Sequence, residues 1–224
     1  MDKPKVTFTI TSTNRLDLLE ITINSFLKQN SYPIEKYILV EDSGVPEAAE
    51  TIKKKWPFFE VIANNPKKGQ TASIDAMYAR VETPYIFHCE DDWKFTRPDF
   101  IDHSMAILEK PGNEKIVQVW IRGEKDTNGH PVLKDQKYEA DGVEYYLLST
   151  DYYMGCYGGF GFHPGLRRLC DWQLIGSYTE VSGGEVEYLV STKYIELGYA
   201  AATLLPSYMD HTGYGRHSDR EGLI

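Results

Sequence analysis

Tyr85-Ile86-Phe87-His88-Cys89-Glu90-Asp91-Asp92-Trp93 is the stretch that decides how this chain folds. Its mostly apolar first half predicts a buried strand, and three consecutive carboxylates mark the end of that strand. Adjacent carboxylates repel one another unless a cation lies among them, and a divalent ion with oxygen ligands is the usual partner. A solvated turn with a salt bridge to Lys94 or Arg97 would also balance the charge, so the cluster alone leaves both interpretations open.

The size and composition of the chain are typical of one globular domain. The chain has 224 residues, of which 42% are hydrophobic and 25% are charged, and this excludes disordered and fibrous classes. The net charge is −9. Because binding to phosphate backbones needs clustered Lys and Arg, we do not expect nucleic acid as a main partner.

The sequence contains no apolar stretch of membrane-spanning length, and its N-terminal residues lack the pattern of a signal peptide. Its three cysteines do not have the spacing of a metal site, which indicates reduced thiols. We therefore expect a cytoplasmic protein without a transmembrane segment. Peripheral association with a membrane stays open.

Strands and helices are predicted to alternate through the first 95 residues. The strands cover 6–10, 37–40, 58–62 and the stretch that begins at Tyr85, and the helices begin near Leu16, Pro46 and Gln70. Asn14 is predicted to cap the first helix. Such apolar strands predict an α/β fold with a mostly parallel central sheet and helices on both faces. Polar ligands bind at the carboxyl ends of the strands in such sheets.

The second half is less regular. Helices are predicted over 98–108, 164–170 and 185–197, strands over 116–121 and 145–148, and a loop or hairpin over 122–136.

Four polar motifs follow the predicted strands in a fixed order. They are Thr11-Ser12-Thr13-Asn14-Arg15, Val40-Glu41-Asp42-Ser43-Gly44, the segment from Asn65 to Gly69, and Glu90-Asp91-Asp92-Trp93. In this order they resemble the nucleotide-binding half of a GT-A fold glycosyltransferase of the family 2 type, in which the last motif is the D-x-D motif. Two positions depart from the family pattern: Glu90 replaces the first Asp of D-x-D, and Ile74-Asp75 replaces an Arg-Asn pair.

The resemblance implies a Rossmann-like GT-A fold in a single domain, 1–224. Its nucleotide-sugar and metal-binding half would be 1–95, and its acceptor-binding half with the C-terminal tail would be 96–224. The implied activity is transfer of a sugar from a nucleotide-diphosphate sugar, with UDP as the family default, to a hydroxyl of a glycan or a small molecule. The implied cofactor is Mn²⁺ or Mg²⁺.

The resemblance also implies roles for particular residues. Asp92 would be the metal ligand. The donor would be bound by Thr11, Ser12, Thr13, Arg15, Glu41, Asp42, Asn65, Gly69, Ser73, Glu90 and Asp91. His211-Thr212-Gly213 resembles a late His-x-Gly that returns to the metal, and an imidazole ligand favours manganese. His211 as a surface residue, or Arg216, His217 and Arg220 as cover for the diphosphate, are the alternatives.

A general base is expected near the start of the helix predicted over 185–197. An inverting transfer needs a carboxylate that takes the proton of the acceptor hydroxyl, and the family pattern places it at Glu187 or, second, at Glu185. Both acids would alternatively stabilise the helix dipole.

The resemblance extends to an acceptor region. The glycine-rich segment 158–165 resembles the stretch before the family's acceptor helix, and Tyr152, Tyr153, Tyr157 and Trp172 offer surfaces for stacking on a sugar or for packing in the core.

Two other functions remain as alternatives. A nucleotidyltransferase would need a glycine-containing loop after the first strand, which Thr11 to Arg15 does not provide. A non-catalytic module that binds sugar nucleotides or glycans would use the acids without a base.

Overall fold

The computed structural model describes residues 2–127, 129–151, 159–181 and 185–216. The strands are β1 (Val6–Ser12), β2 (Ile34–Glu41), β3 (Glu60–Ala63), β4 (Tyr85–Glu90), β5 (Trp93–Phe95), β6 (Ile116–Trp120), β7 (Tyr138–Ala140), β8 (Val143–Leu147), β9 (Gly165–Arg168), β10 (Ala200–Leu204) and β11 (Met209–His211). The helices are α1 (Leu16–Gln29), α2 (Pro46–Lys55), α3 (Gln70–Tyr78), α4 (Phe100–Glu109), α5 (Leu169–Ile175) and α6 (Val186–Glu196), and a 3-10 turn covers Tyr178–Glu180.

The large sheet has the strand order β3-β2-β1-β4-β9-β6-β10-β8-β7. Strands β3, β2, β1 and β4 are parallel to one another, and so are β6 and β10. Strand β9 is antiparallel to both of its neighbours, and β8 is antiparallel to β10 and β7. This architecture confirms the predicted α/β fold.

The register of the parallel strands aligns their carboxyl ends. Thr11 lies opposite Val40 on one side and Glu90 on the other, and Ser12 lies opposite Glu41. The polar residues that follow these strands therefore collect at one edge of the sheet.

Helices cover both faces of the sheet. On one face Phe8 and Phe87 pack with Phe26 of α1, and the Phe8 and Phe26 rings stack 4.1 Å apart. On the other face Ile86 belongs to a second cluster that contains Tyr78 of α3. Full burial of a side chain of the size of Phe contributes about 1.5–3 kcal/mol. These two clusters fix α1 and α3 beside the polar edge.

The helix predicted for 164–170 was wrong in its first half. Gly165–Arg168 form β9, which lies between β4 and β6, and α5 begins at Leu169. A Cβ on Gly165 would lie 2.5 Å from the carbonyl oxygen of Val119, so a glycine is required where β9 meets β6. Pairing on both edges outweighs the local pattern that indicated a helix.

The predicted cap at Asn14 was also wrong. Asn14 has a left-handed backbone with φ 56°, and α1 begins two residues later without a side-chain cap. The Asn14 backbone N–H instead donates to Glu41 Oε1 at 3.0 Å.

A second sheet joins the segment that follows the acidic residues 90–92 to the C-terminal residues. Strand β11 is antiparallel to β5, with His211 opposite Trp93. Among the helices of the described residues, none has the length and apolarity needed to span a membrane.

Candidate active site

A cavity of about 630 Å³ lies at the carboxyl ends of the parallel strands. Predicted donor residues that line it are Thr11, Ser12, Thr13, Arg15, Asp42, Gly69 and Ser73. The acids Glu90, Asp91, Asp92 and Glu187 and the imidazole of His211 line the same cavity. Twelve of the fifteen residues predicted for the site are thus brought together, and Glu41, Asn65 and Glu185 are outside the lining that the described residues form.

Asp91 is a buried partner of Arg15. Its carboxylate accepts hydrogen bonds from Arg15 Nη2 and, at 3.2 Å, from Arg15 Nε, and the Thr13 backbone N–H donates to it at 3.3 Å. Burial raises the pKa of Asp91 to about 6, although the charge of Arg15 opposes this shift. Asp91 therefore holds the turn after β1 in place, and its oxygens are already occupied.

Asp92 has the more open carboxylate. Its Oδ2 lies 3.0 Å from Arg15 Nη1 and 3.3 Å from His211 Nε2. Burial favours the neutral acid, but the hydrogen bond from His211 and the charge of Arg15 outweigh burial, so the pKa of Asp92 lies below its usual value. A carboxylate that is ionised at neutral pH suits a divalent cation.

Asp92 and His211 fit a divalent ion that takes its other ligands from substrate and water. Neighbouring ligands of an octahedral ion, each about 2.1 Å from it, lie about 3.0 Å apart, close to the spacing of these two atoms. Within the described residues no group of three or more His, Cys, Asp or Glu side chains is arranged to hold an ion. A site with few protein ligands is typical of ions that also bind phosphate oxygens.

Glu90 lies between this pair and Glu187. It accepts hydrogen bonds from Gln70 Nε2 at 3.1 Å and from Trp93 Nε1 at 3.3 Å. Burial, together with the negative charges of Asp92 and Glu187, raises the pKa of Glu90 to about 8. The region around Glu90 therefore disfavours further negative charge.

Glu41 and Asp42 shape the loops beside the cavity. Buried Glu41 accepts hydrogen bonds from the backbone N–H groups of Asn14 and Ser43. Asp42 accepts hydrogen bonds from the backbone N–H groups of Lys68 and Gly69, each at 2.8 Å, and this shapes the loop that leads into α3. Both acids thus fix the backbone of neighbouring loops through hydrogen bonds. Of the two, only Asp42 also lines the cavity.

In the predicted segment from Asn65 to Gly69, Lys67 and Gly69 line the cavity and Asn65 does not. Asn65 is exposed, whereas Asn64 is buried and donates from Nδ2 to Asp42 Oδ1 at 2.8 Å and to Ser73 Oγ at 3.1 Å. Gly69 precedes α3 with φ 92°, a backbone conformation that favours glycine.

The structure separates the two candidate bases. Glu187 lines the cavity, and its Oε1 accepts a hydrogen bond from the backbone N–H of Phe162. Glu185 is exposed at the start of α6 and lies outside the cavity lining formed by the described residues. The position of Glu187 fits a base that acts within the cavity, and that of Glu185 fits an acid at a helix N-terminus.

The C-terminal residues cross the acidic edge. The Thr212 backbone N–H donates to the Asp92 carbonyl oxygen at 2.8 Å, and Arg15 Nη1 donates to the Arg216 carbonyl oxygen at 2.9 Å. Arg216 also forms a salt bridge of 2.6 Å with Asp17. A Cβ on Gly213 would lie 2.8 Å from the Asp92 Cγ, so only glycine permits this close approach.

Outside the four polar motifs, sequence reasoning did not identify five residues of the cavity: Gln70, Arg122, Asp126, His163 and Tyr214. Arg122 and Asp126 follow the buried strand β6, so the rule that found the other polar strand ends applies to them as well. His163 and Tyr214 carry no comparable signal. Of the predicted acceptor and tail residues, Tyr152, Tyr153, Tyr157, His217 and Arg220 lie outside the described residues, and Trp172 packs against the second core cluster and donates to Asp75 Oδ1.

The chain is similar to solved GT-A glycosyltransferase structures. A mannosyltransferase from Pyrobaculum calidifontis, solved with GDP-Man and Mn²⁺, shares 14% identity at a TM-score of 0.63, over 92% of this chain and 56% of that one. S. aureus TarS shares 13% identity at a TM-score of 0.60, over 93% and 36%. GalNAc-T7, solved with UDP, GalNAc and Mn²⁺, shares 12% identity at a TM-score of 0.66, over 93% and 43%.

At these identities the likeness concerns the fold, and the chain spans between about a third and just over half of the length of these structures. No curated protein matches the chain by sequence. The family described as glycosyl transferase family 2 matches residues 7–165, which include the four polar strand ends. The chain belongs to glycosyl transferase family 2.

Proposed function

We propose that this chain transfers a sugar from a nucleoside-diphosphate sugar to an acceptor hydroxyl, with a divalent cation held by Asp92 and His211. The observation that carries the proposal is that one cavity contains both the Asp92–His211 pair and, on the second half of the chain, the carboxylate of Glu187. A metal ligand and a base within one cavity suit in-line displacement at an anomeric carbon.

The donor would lie along the aligned strand ends. Thr11, Ser12 and Thr13 present hydroxyl and backbone groups to the nucleotide, and Asp42 holds the loop before α3 against it. A bound Mn²⁺ or Mg²⁺ would neutralise the charge that develops on the leaving diphosphate. Arg15 keeps Asp91 and Asp92 oriented before the donor arrives.

Glu187 would accept the proton of the attacking hydroxyl. The Phe162 N–H fixes one of its oxygens in the cavity. Attack from the side opposite the diphosphate inverts the configuration at the anomeric carbon. We therefore propose an inverting transfer.

The proposal also covers the ion, the nucleotide, the two halves of the chain and the cellular setting. We propose Mn²⁺ as the working ion, because an imidazole ligand favours it over Mg²⁺, and UDP as the first nucleotide to test. We retain the division into a donor half, 1–95, and an acceptor half, 96–224. A cytoplasmic setting is supported by the unpaired thiols of Cys89 and Cys170.

Release of nucleoside diphosphate tests the proposal. Purified protein is incubated with Mn²⁺ and a panel of UDP-, GDP- and dTDP-sugars, with and without candidate glycan acceptors. We expect release that stops on addition of EDTA and in Asp92→Ala. Release that is unaffected by this variant, or formation of pyrophosphate from a nucleoside triphosphate and a sugar phosphate, would contradict the proposal. Tight donor binding without any turnover would favour a binding module instead.

A further inference from the structure

The wall of the cavity beyond Asp92 carries a charged pair that no role above uses. Arg122 donates to Asp126 through Nη2 at 2.7 Å and Nε at 3.2 Å, so the two side chains form a fork on one turn of chain. The Arg122 side chain is only 9% exposed, and its guanidinium carbon lies 4.9 Å from the centre of the Trp93 ring. The fork is therefore held rigidly next to the metal motif.

The position of this pair places it beside the transferred sugar. Trp93, which supports Arg122, directly follows Asp92 and donates from Nε1 to Glu90. Arg122 and Asp126 line the cavity together with Glu187. They follow β6, which is separated from β1 by β4 and β9 in the sheet. With the nucleotide on the strand ends and the anomeric carbon between Asp92 and Glu187, the sugar ring faces the Arg122–Asp126 fork.

The charges around this part of the cavity disfavour an anionic sugar. Glu90 is left out of the charge count because its raised pKa favours the neutral acid. Among the other described lining residues, carboxylates outnumber Lys and Arg by five to three: Asp42, Asp91, Asp92, Asp126 and Glu187 against Arg15, Lys67 and Arg122. Arg15 is already paired with Asp91 and Asp92. Arg122 donates to Asp126 through both Nη2 and Nε, so the charge of Arg122 is already balanced by that carboxylate.

We propose that the Arg122–Asp126 fork reads hydroxyl groups of the donor sugar and selects a neutral sugar over a uronic acid. A carboxylate oxygen of Asp126 accepts from a sugar hydroxyl, and the guanidinium of Arg122 donates to another. A sugar carboxylate would instead meet the carboxylates of Asp126 and Glu187, and like charges at close range cost binding affinity. This inference rests on the proposed function, because it assumes a nucleotide-sugar donor.

The test is a calorimetric titration of the whole chain with Mn²⁺ present. UDP, GDP and dTDP are titrated first, and the tightest fixes the base. Two donors that differ only at C6 are then compared, such as UDP-glucose with UDP-glucuronate. We expect the neutral donor to bind about tenfold more tightly or better. Equal affinity, or tighter binding of the uronate, would overturn the inference.

A variant makes the test specific to the fork. In Asp126→Asn, Arg122 is released from its partner, so binding of the uronate donor should tighten while binding of the free nucleoside diphosphate stays unchanged. Loss of structure cannot produce such a gain. Glu124→Gln is the matched control, since Glu124 loses the same charge on the same loop but pairs with Lys134 outside the cavity.

The outcomes separate this inference from the proposal beneath it. Nucleoside diphosphate that binds, with a ratio of donor affinities that neither Asp126→Asn nor Arg122→Gln changes, would overturn the sugar selection alone. Failure of all three nucleoside diphosphates to bind would overturn both.

Discussion

Asp91 and Asp92 are neighbours in sequence but have different surroundings. Asp91 is 1% exposed and is surrounded by Arg15 and the backbone of Thr13, whereas Asp92 shares its Oδ2 between Arg15 and His211. In a D-x-D-like motif the sequence alone does not distinguish these roles. The difference arises because consecutive residues at a strand end point in different directions.

Substitution of each aspartate should therefore give a different defect. Asp91→Asn weakens a buried charged hydrogen bond to Arg15 and should lower the free energy of unfolding by about 1–3 kcal/mol. Asp92→Asn should lower it less but abolish binding of Mn²⁺ in the presence of nucleoside diphosphate. Urea unfolding and Mn²⁺ titration followed by electron paramagnetic resonance measure the two effects. The same defect profile in both variants would refute the division of roles.

Glu187 and Glu185 provide a second contrast between near neighbours. Glu187→Gln keeps the shape of the side chain but removes the base, so turnover should fall about 10²–10⁴-fold while donor affinity stays unchanged. Glu185→Gln serves as the control and should retain full turnover. Steady-state kinetics and donor titration check this. If Glu185→Gln causes the larger loss, the base lies two residues earlier in the chain.

At the scale of elements, the C-terminal segment is the part that closes the acidic edge. Gly213 touches the Asp92 side chain, and β11 places His211 opposite Trp93. The Asp17–Arg216 salt bridge beyond it is exposed and adds about 0.2–1 kcal/mol at most. The close approach at Gly213, rather than this salt bridge, fixes His211 beside Asp92.

Gly213→Ala should push the C-terminal segment away from Asp92. We expect the affinity for Mn²⁺, measured with nucleoside diphosphate present, to fall about tenfold or more. Gly112→Ala is the control: Gly112 has φ 94° with open space around it, so this substitution strains the backbone without touching the site. Wild-type Mn²⁺ affinity in Gly213→Ala would show that the segment does not position His211.

The elements of the first half could be predicted because each one carries its own signal. Apolar strands, Pro46 at a helix start and polar motifs at strand ends repeat in order, and local pattern agrees with tertiary structure there. Strand β9 carries no such signal, because its position depends on β4 and β6, which are distant in sequence. Arg122 and Asp126 follow strand β6, as other site residues follow β1, β2 and β4. They were not predicted as site residues because 122–136 was interpreted only as a loop or hairpin.

At the scale of the whole molecule, the core contains titratable groups that must stay neutral. Burial, with the charge of Arg167 nearby, holds the pKa of His88 well below 6.5. Burial, with the charges of Arg122, Arg167 and His130 nearby, does the same for His163. Backbone hydrogen bonds at Phe162 and Pro164 favour the charged forms of His88 and His163, respectively, but burial outweighs them.

The contribution of these two histidines to stability should therefore fall in mild acid. Below pH 6.5 the unfolded chain binds protons at both histidines and the folded chain does not, so this contribution decreases by up to about 1.4 kcal/mol per pH unit for each histidine. The raised pKa values of Glu90 and Asp91 act in the opposite direction, so the histidine contribution is measured as the difference between wild-type protein and a histidine variant. Urea unfolding between pH 7.5 and about pH 5.5 measures this slope. His88→Gln should remove about half of the contribution from these two residues, and an unchanged slope would contradict the assignment.

The central claim is that the aligned strand ends bind a nucleoside diphosphate through a divalent ion at Asp92. The most direct measurement is calorimetric titration of UDP, GDP and dTDP into the wild-type chain and Asp92→Ala, each with Mn²⁺ and with EDTA. We predict that the wild-type chain with Mn²⁺ binds one of these nucleotides at least about 100-fold more tightly than the other three combinations of protein and additive do. Binding of equal strength in EDTA and in Asp92→Ala would contradict the claim.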